Sequence, residues 1–144
     1  MKRSAPLFEH RVRLPAHRVP KVLHAQLHRF WAGCSAHARL IPRDVRFATE
    51  LATVEIASNV AVHALERTTS PMRLRFALYP NAIDVWIRDH GHPVTWPIAL
   101  PREPMAESGR GLVLSMLAMD AVAYARTTNL NVWRLTKRIV PVPD

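Results

Sequence analysis

Glycine is scarce in this chain, four residues in 144 against twelve prolines, so each glycine marks a place where the backbone needs one. A single cysteine, Cys34, excludes an internal disulfide and gives no sign of an oxidising compartment. Long hydrophobic runs are also missing. The longest apolar stretch, near Gly111–Tyr124, is interrupted by Asp120 and is too short to span a bilayer. The opening Met-Lys-Arg-Ser leads into charged residues with no apolar segment behind it, so no signal peptide is expected. There is no internal repeat and no low-complexity tract. What remains is a chain of about one domain, residues 1–144, whose 49% hydrophobic content supports a real core. The expected setting is cytoplasmic and soluble, with no membrane partner.

Acidic residues are few as well, 11 against 20 lysines and arginines, which leaves a net charge of +9. Such a balance fits nucleic acid, an acidic protein partner or nucleotide phosphates. The basic residues are scattered along the sequence, from Arg11, Arg13 and Arg18 through Arg73 and Arg75 to Arg134, Lys137 and Arg138. No basic region with interleaved aromatics emerges, so direct nucleic-acid binding is disfavoured.

Periodicity divides the chain cleanly. Phe8, His10, Val12 and Leu14 alternate as a strand does, and Pro15 closes it. Val19 to Cys34 carries Leu23, Leu27, Phe30 and Cys34 at helical spacing. Pro42-Arg43-Asp44 starts a second helix that should reach about Leu65. Leu74, Phe76 and Leu78, then Ile83, Val85 and Ile87, alternate on either side of Pro80-Asn81, which predicts an antiparallel hairpin with one buried face. Asp89 to Ser108 has little periodicity and four prolines, and reads as a functional lid or a disordered stretch. Gly109-Arg110-Gly111 opens a helix to about Met119, and Ala121–Arg126 and Leu130–Arg138 form a last strand pair. The predicted fold is α+β, a two-layer sandwich with helices on one face of a mixed, mostly antiparallel sheet.

Three motifs carry chemistry. Glu55, Asn59 and His63 are spaced by four and share one helix face inside a mostly apolar run. Polar groups there cost free energy unless they find partners, and a ligand with a metal ion and a reacting hydroxyl would supply them. Asp89-His90-Gly91 ends a strand, where a carboxylate can point into a pocket while the backbone bends away. Gly109-Arg110-Gly111-Leu112 stands at a helix start, where glycines let the backbone approach phosphates and free amide groups favour anions.

In this order and spacing the set resembles the GHKL superfamily of nucleotide-binding proteins, which includes gyrase and histidine kinases. Within it the chain looks most like the small bacterial anti-sigma-factor serine kinases, over roughly residues 8–138. Their Glu-x-x-x-Asn-x-x-x-His box is matched by Glu55, Asn59 and His63, and their Asp-x-Gly box by Asp89 and Gly91. Their Gly-x-Gly-Leu box and the Met-Asp after it are matched by Gly109, Gly111, Leu112, Met119 and Asp120, and a closing Leu-x-Lys-Arg by Leu135, Lys137 and Arg138. The resemblance implies ATP and magnesium as cofactors, with Glu55 as general base and Asn59 as magnesium ligand. It also implies Asp89 as acceptor from the adenine amino group, Gly91 as the space for the base, and Gly109 and Gly111 as the lid hinge, with Arg110 an added charge contact. The implied partners are a sigma factor, an anti-sigma-factor antagonist with a STAS-type domain, and a second copy of the chain in a homodimer. Two departures stand out. Pro93 replaces the second glycine of a common Asp-x-Gly-x-Gly pattern, and Thr128-Asn129-Leu130-Asn131 replaces a glycine near the last hairpin, with Asn131 taking the polar adenine contact.

Other residues read more plainly. His63 is a packing or hydrogen-bonding residue rather than a catalyst. His24 with His28, His90 with His92, and Cys34 with His37 give no four-ligand zinc spacing. Trp31, Trp86 and Trp133 are expected in the core or a subunit interface, and Trp96 in the lid. A sequestering module of the same fold, binding nucleotide without catalysis or not at all, is the alternative to a kinase.

Overall fold

The structure, a computed structural model, describes residues 4–65, 69–94 and 110–140. Its elements follow one another as β1 (Phe8–Leu14), α1 (Val19–Gly33), α2 (Arg43–Leu65), β2 (Met72–Tyr79), β3 (Ala82–Asp89), α3 (Arg110–Ala118), β4 (Ala121–Thr127) and β5 (Leu130–Arg138). This is the predicted sequence of elements, with 3₁₀ turns added at Ala16–Arg18 and Ser35–Leu40. The strands form one sheet in the order β1-β2-β3-β5-β4. The sheet, expected to be mostly antiparallel, is antiparallel at every neighbouring pair. Two helices separate β1 from β2, and a helix and a strand separate β3 from β5.

Helix α2 lies at the centre of the helical layer and touches α1, α3, β3 and β5. Its buried residues, Val45, Ala48, Ala52, Ile56, Ala57, Val60, Ala61 and Ala64, recur at three and four, and the five alanines let neighbouring backbones approach closely. Helix α1 is pinned to α2 through Trp31, whose indole nitrogen donates to the Glu50 carboxylate at 2.7 Å. The Arg46 guanidinium covers the same indole at 5.0 Å. At the end of α1, Gly33 makes room for the Phe8 ring, which a larger residue would displace. A Cβ there would meet the Phe8 ring at 2.0 Å.

Strand alternation divides the sheet into two faces. Phe76, Leu78, Val85, Ile87, Trp133 and Leu135 point toward the helices and are buried with Phe30, Leu23 and Leu27. Burying this apolar surface supplies most of the driving force for folding, about 25 cal/mol per Å². Trp31 and Trp133 are core residues, as expected, whereas Trp86 is half-buried on the opposite face of the sheet. Trp96 lies outside the described residues.

Candidate functional site

The polar end of the covered face is built at the end of β3. Residues 83, 85, 87 and 89 share one side of that strand, so the Asp89 carboxylate follows three buried apolar side chains toward the helices. In the sheet register Asp89 lies opposite Asn131 on β5, and Asn131 lies opposite Arg126 on β4. One polar row therefore crosses three strands at the edge of an apolar surface.

Asn131 is the hub of that row and is 1% exposed. Its amide nitrogen donates to Asp89 Oδ1 at 3.0 Å, to the His92 carbonyl at 2.9 Å and, at 3.3 Å, to the Gly91 carbonyl. Its oxygen accepts from the Tyr124 hydroxyl at 2.5 Å and from Arg126 Nη1 at 2.8 Å. Arg126 Nη1 also donates to the Gly91 carbonyl at 3.0 Å, and the Tyr124 hydroxyl accepts from the Val94 amide at 3.0 Å. Strands β4 and β5 thus grip residues 89–94 side chain by side chain. The turn joining these two strands places Asn129 at φ 64°, the left-handed conformation that asparagine tolerates, so the chain does without a glycine there. The Asn129 carbonyl lies 3.0 Å from His90 Nδ1.

Asp89 itself is 3% exposed. Its Oδ1 accepts from the Gly91 amide at 2.8 Å as well as from Asn131. Its Oδ2 is buried with no hydrogen-bond partner among the described residues. An orphaned acceptor of this kind costs roughly 1–3 kcal/mol. Burial pushes the Asp89 carboxyl above the ordinary aspartate range, while the Asn131 and Gly91 hydrogen bonds and the nearby His90 and Arg126 pull it back. Gly91 is required by crowding: a Cβ there would lie 2.8 Å from Asp89 Oδ1 and 3.0 Å from the Ala64 Cα of helix α2.

Between α2 and this row lies a cavity of about 220 Å³. Its polar lining is Asn59, His63, Asp89, His92 and Asn131, and Ile56, Val60, Pro93, Val94 and Trp133 supply the apolar walls. That is smaller than the usual pocket for a drug-sized ligand, about 300–1,000 Å³. It suits a flat heterocycle with one hydrogen-bond donor to give, the remainder of a ligand lying outside.

The sequence-selected residues fall into three groups. Asn59, Asp89 and Asn131 converge on the cavity, and Gly91 shapes the turn beside it. Glu55 is half-buried on α2, one helical turn before Asn59, and does not line the cavity. Arg110 and Gly111 are the first residues of α3, which packs on α2, while Gly109 lies outside the described residues. Among the described residues no three or more histidine, cysteine, aspartate or glutamate side chains group as a metal site. Asn59 offers the cavity one amide oxygen, the kind of hard donor that a magnesium ion takes. Sequence reasoning missed Tyr124 and Arg126. The signal was the alternation of Val122, Tyr124 and Arg126 along β4, but its meaning depends on which strand lies beside it.

An α+β sandwich whose buried Asp89 lines a helix-walled slot is an arrangement that fits a nucleotide-binding domain. Residues 20–137 match the family model of the histidine kinase-like ATPase domain, and the chain belongs to that family. No curated protein matches the chain. It is therefore an ATP-binding domain of the GHKL superfamily. No helix among the described residues is long and apolar enough to cross a membrane.

Proposed function

We propose that this protein is an ATP-dependent serine kinase and anti-sigma factor, one that binds a sigma factor and phosphorylates a serine on a STAS-type antagonist. The observation that carries the nucleotide part is Asp89 Oδ2, buried, unpartnered among the described residues and beside a cavity sized for a base. The adenine amino group donates to it. Asn131, with its polar atoms already engaged by Asp89, the 91–92 backbone, Tyr124 and Arg126, positions that carboxylate rather than touching the base.

The kinase part is supported by Glu55 and Asn59 standing one turn apart on the helix that walls the cavity. Glu55 takes the proton of the substrate serine hydroxyl. The serine oxygen bonds to the γ-phosphorus as the bond to the bridging oxygen breaks, and ADP leaves. Magnesium held by Asn59 supplies charge neutralisation at the phosphates when bound. Phosphoryl transfer asks for little beyond positioning and electrostatics, and one base and one metal ligand would serve that need.

The position of Glu55 outside the cavity also suits a second reading, a regulatory module that holds nucleotide and partner without transferring phosphate. Calorimetric titration with ATP, with and without magnesium, tests the pocket. Asn59→Ala should lose the magnesium-dependent part. Glu55→Gln separates the two readings, since it should keep ATP and partner binding yet abolish transfer to the antagonist. Transfer at the wild-type rate in that variant removes Glu55 as the base.

A further inference from the structure

The arginines scattered through the sequence meet on the face of the sheet turned away from the helices. One cross-strand row runs Arg11, Arg75, Trp86, Arg134, Ala123, and the next runs Arg13, Arg73, Arg88, Val132, Ala125. Clustering on this scale corrects the expectation of dispersed charge. Residues two apart on a strand share a face, and the strand order brings three such strands together.

The two rows are not equivalent. Arg11 and Arg75 pair with Glu9, and Arg134 pairs with the buried Asp84. Arg13, Arg73 and Arg88 are exposed, neighbours in register, and form no ion pair among the described residues. Like charges directly opposite one another destabilise a sheet. A row of three serves folding poorly and serves an anion well.

We infer that this face docks an acidic, amphipathic helical segment of a partner protein. Charge complementarity supplies the attraction, because the planar guanidinium matches a carboxylate with two parallel hydrogen bonds. Beside the arginines, Ala121, Ala123 and Ala125 are exposed on β4 and Val132 is half-buried on β5. Together they make a flat apolar strip that a helix can approach closely. Nucleic acid fits the face less well. Single strands are gripped by stacking bases on aromatic rings, but guanidiniums from the strands on either side already cover Trp86, Arg75 at 4.3 Å and Arg134 at 5.4 Å from the ring centre. A second copy of the chain would bring the same arginines against themselves. The face lies across the sheet from the nucleotide cavity, so its role does not depend on that reading.

Fluorescence anisotropy with two labelled probes tests the inference at about 0.1 M salt, where exposed charges beyond a Debye length are screened. The probes are an amphipathic Glu/Leu helical peptide and an oligo-dT strand of equal charge. Arg73→Glu, which gains Arg13 and Arg88 as partners, should raise the melting temperature yet weaken peptide binding about tenfold or more. Lys21→Glu makes the same charge change at an exposed position of helix α1 and should leave peptide binding within about twofold. Ala125→Arg should weaken the peptide by filling the strip while strengthening oligo-dT. Equal losses in Arg73→Glu and Lys21→Glu would reduce the effect to net charge and overturn the inference. So would a gain for both probes in Ala125→Arg, which would show that the face answers to added charge and not to a helix seated on the apolar strip.

Discussion

On the helix-covered side of the sheet, apolar columns end in one polar row, Asp89, Asn131 and Arg126. On the open side, arginines fill two rows around Trp86. The two sides use the same strands but show their purpose differently. In the covered row the protein satisfies nearly every polar atom, so the exception, Asp89 Oδ2, marks where a ligand belongs. On the open face Arg13, Arg73 and Arg88 are all exposed, so no single atom among them stands out and the information is collective. Here the buried site is marked by an unsatisfied carboxylate oxygen on a residue that lines a cavity, the exposed one by an excess of one charge.

Substitution should sharpen that contrast. The largest effect is expected from Asn131→Ala, which strands Tyr124, Arg126 and Asp89 together. The loss should be about 3 kcal/mol in urea denaturation, several times that of the exposed Arg13, Arg73 or Arg88. Asp89→Asn removes a buried charge while keeping the shape. It should fold at least as stably at pH 7 while weakening ATP about tenfold or more, read by denaturation and calorimetry. The sign follows from the raised carboxyl. Between 3.8 and its folded value Asp89 holds a proton that the unfolded chain has released, so its contribution to stability falls as pH rises through that window. The advantage of the asparagine variant should accordingly shrink at pH 4.

On the open face the effects should be smaller. Arg73→Glu should add about 0.5 kcal/mol by turning two repulsions into attractions, a gain that 1 M salt should erase. Least of all is Glu9→Gln, expected to cost about 0.5 kcal/mol or less. The hydrogen bond from Arg75 holds Glu9 below the ordinary glutamate range. Its contribution is complete above pH 4.5 and disappears as pH falls through the lowered folded value. An Asn131→Ala variant as stable as Glu9→Gln would remove the distinction between the two faces.

How much of this could be read from the chain depends on the range of the signal. The helix face of Glu55, Asn59 and His63 and the strand end at Asp89 are local patterns, and the backbone period reveals them. The hairpin at Pro80-Asn81 is local too, and its register follows from its length. The grip of Tyr124 and Arg126 on residues 91–94 was not legible, because it requires knowing that β4 lies outside β5 and pairs Arg126 with Asn131. Asn131 was legible as a polar residue in the right place but not as a saturated one, since its partners come from other segments. The arginine face failed for the same reason: Arg13, Arg73 and Arg88 are far apart in the chain and adjacent only through pairing.

Strand β3 supplies Asp89 to one surface and Arg88 to the other from consecutive residues. A one-residue slip of this strand would turn every side chain over at once, sending Arg88 toward the helices and Asp89 into solvent. An insertion or deletion within β3 that shifts its register would therefore alter both surfaces together. Only side-chain exchange at single positions leaves one surface untouched while changing the other, so the nucleotide slot and the basic face share one backbone register.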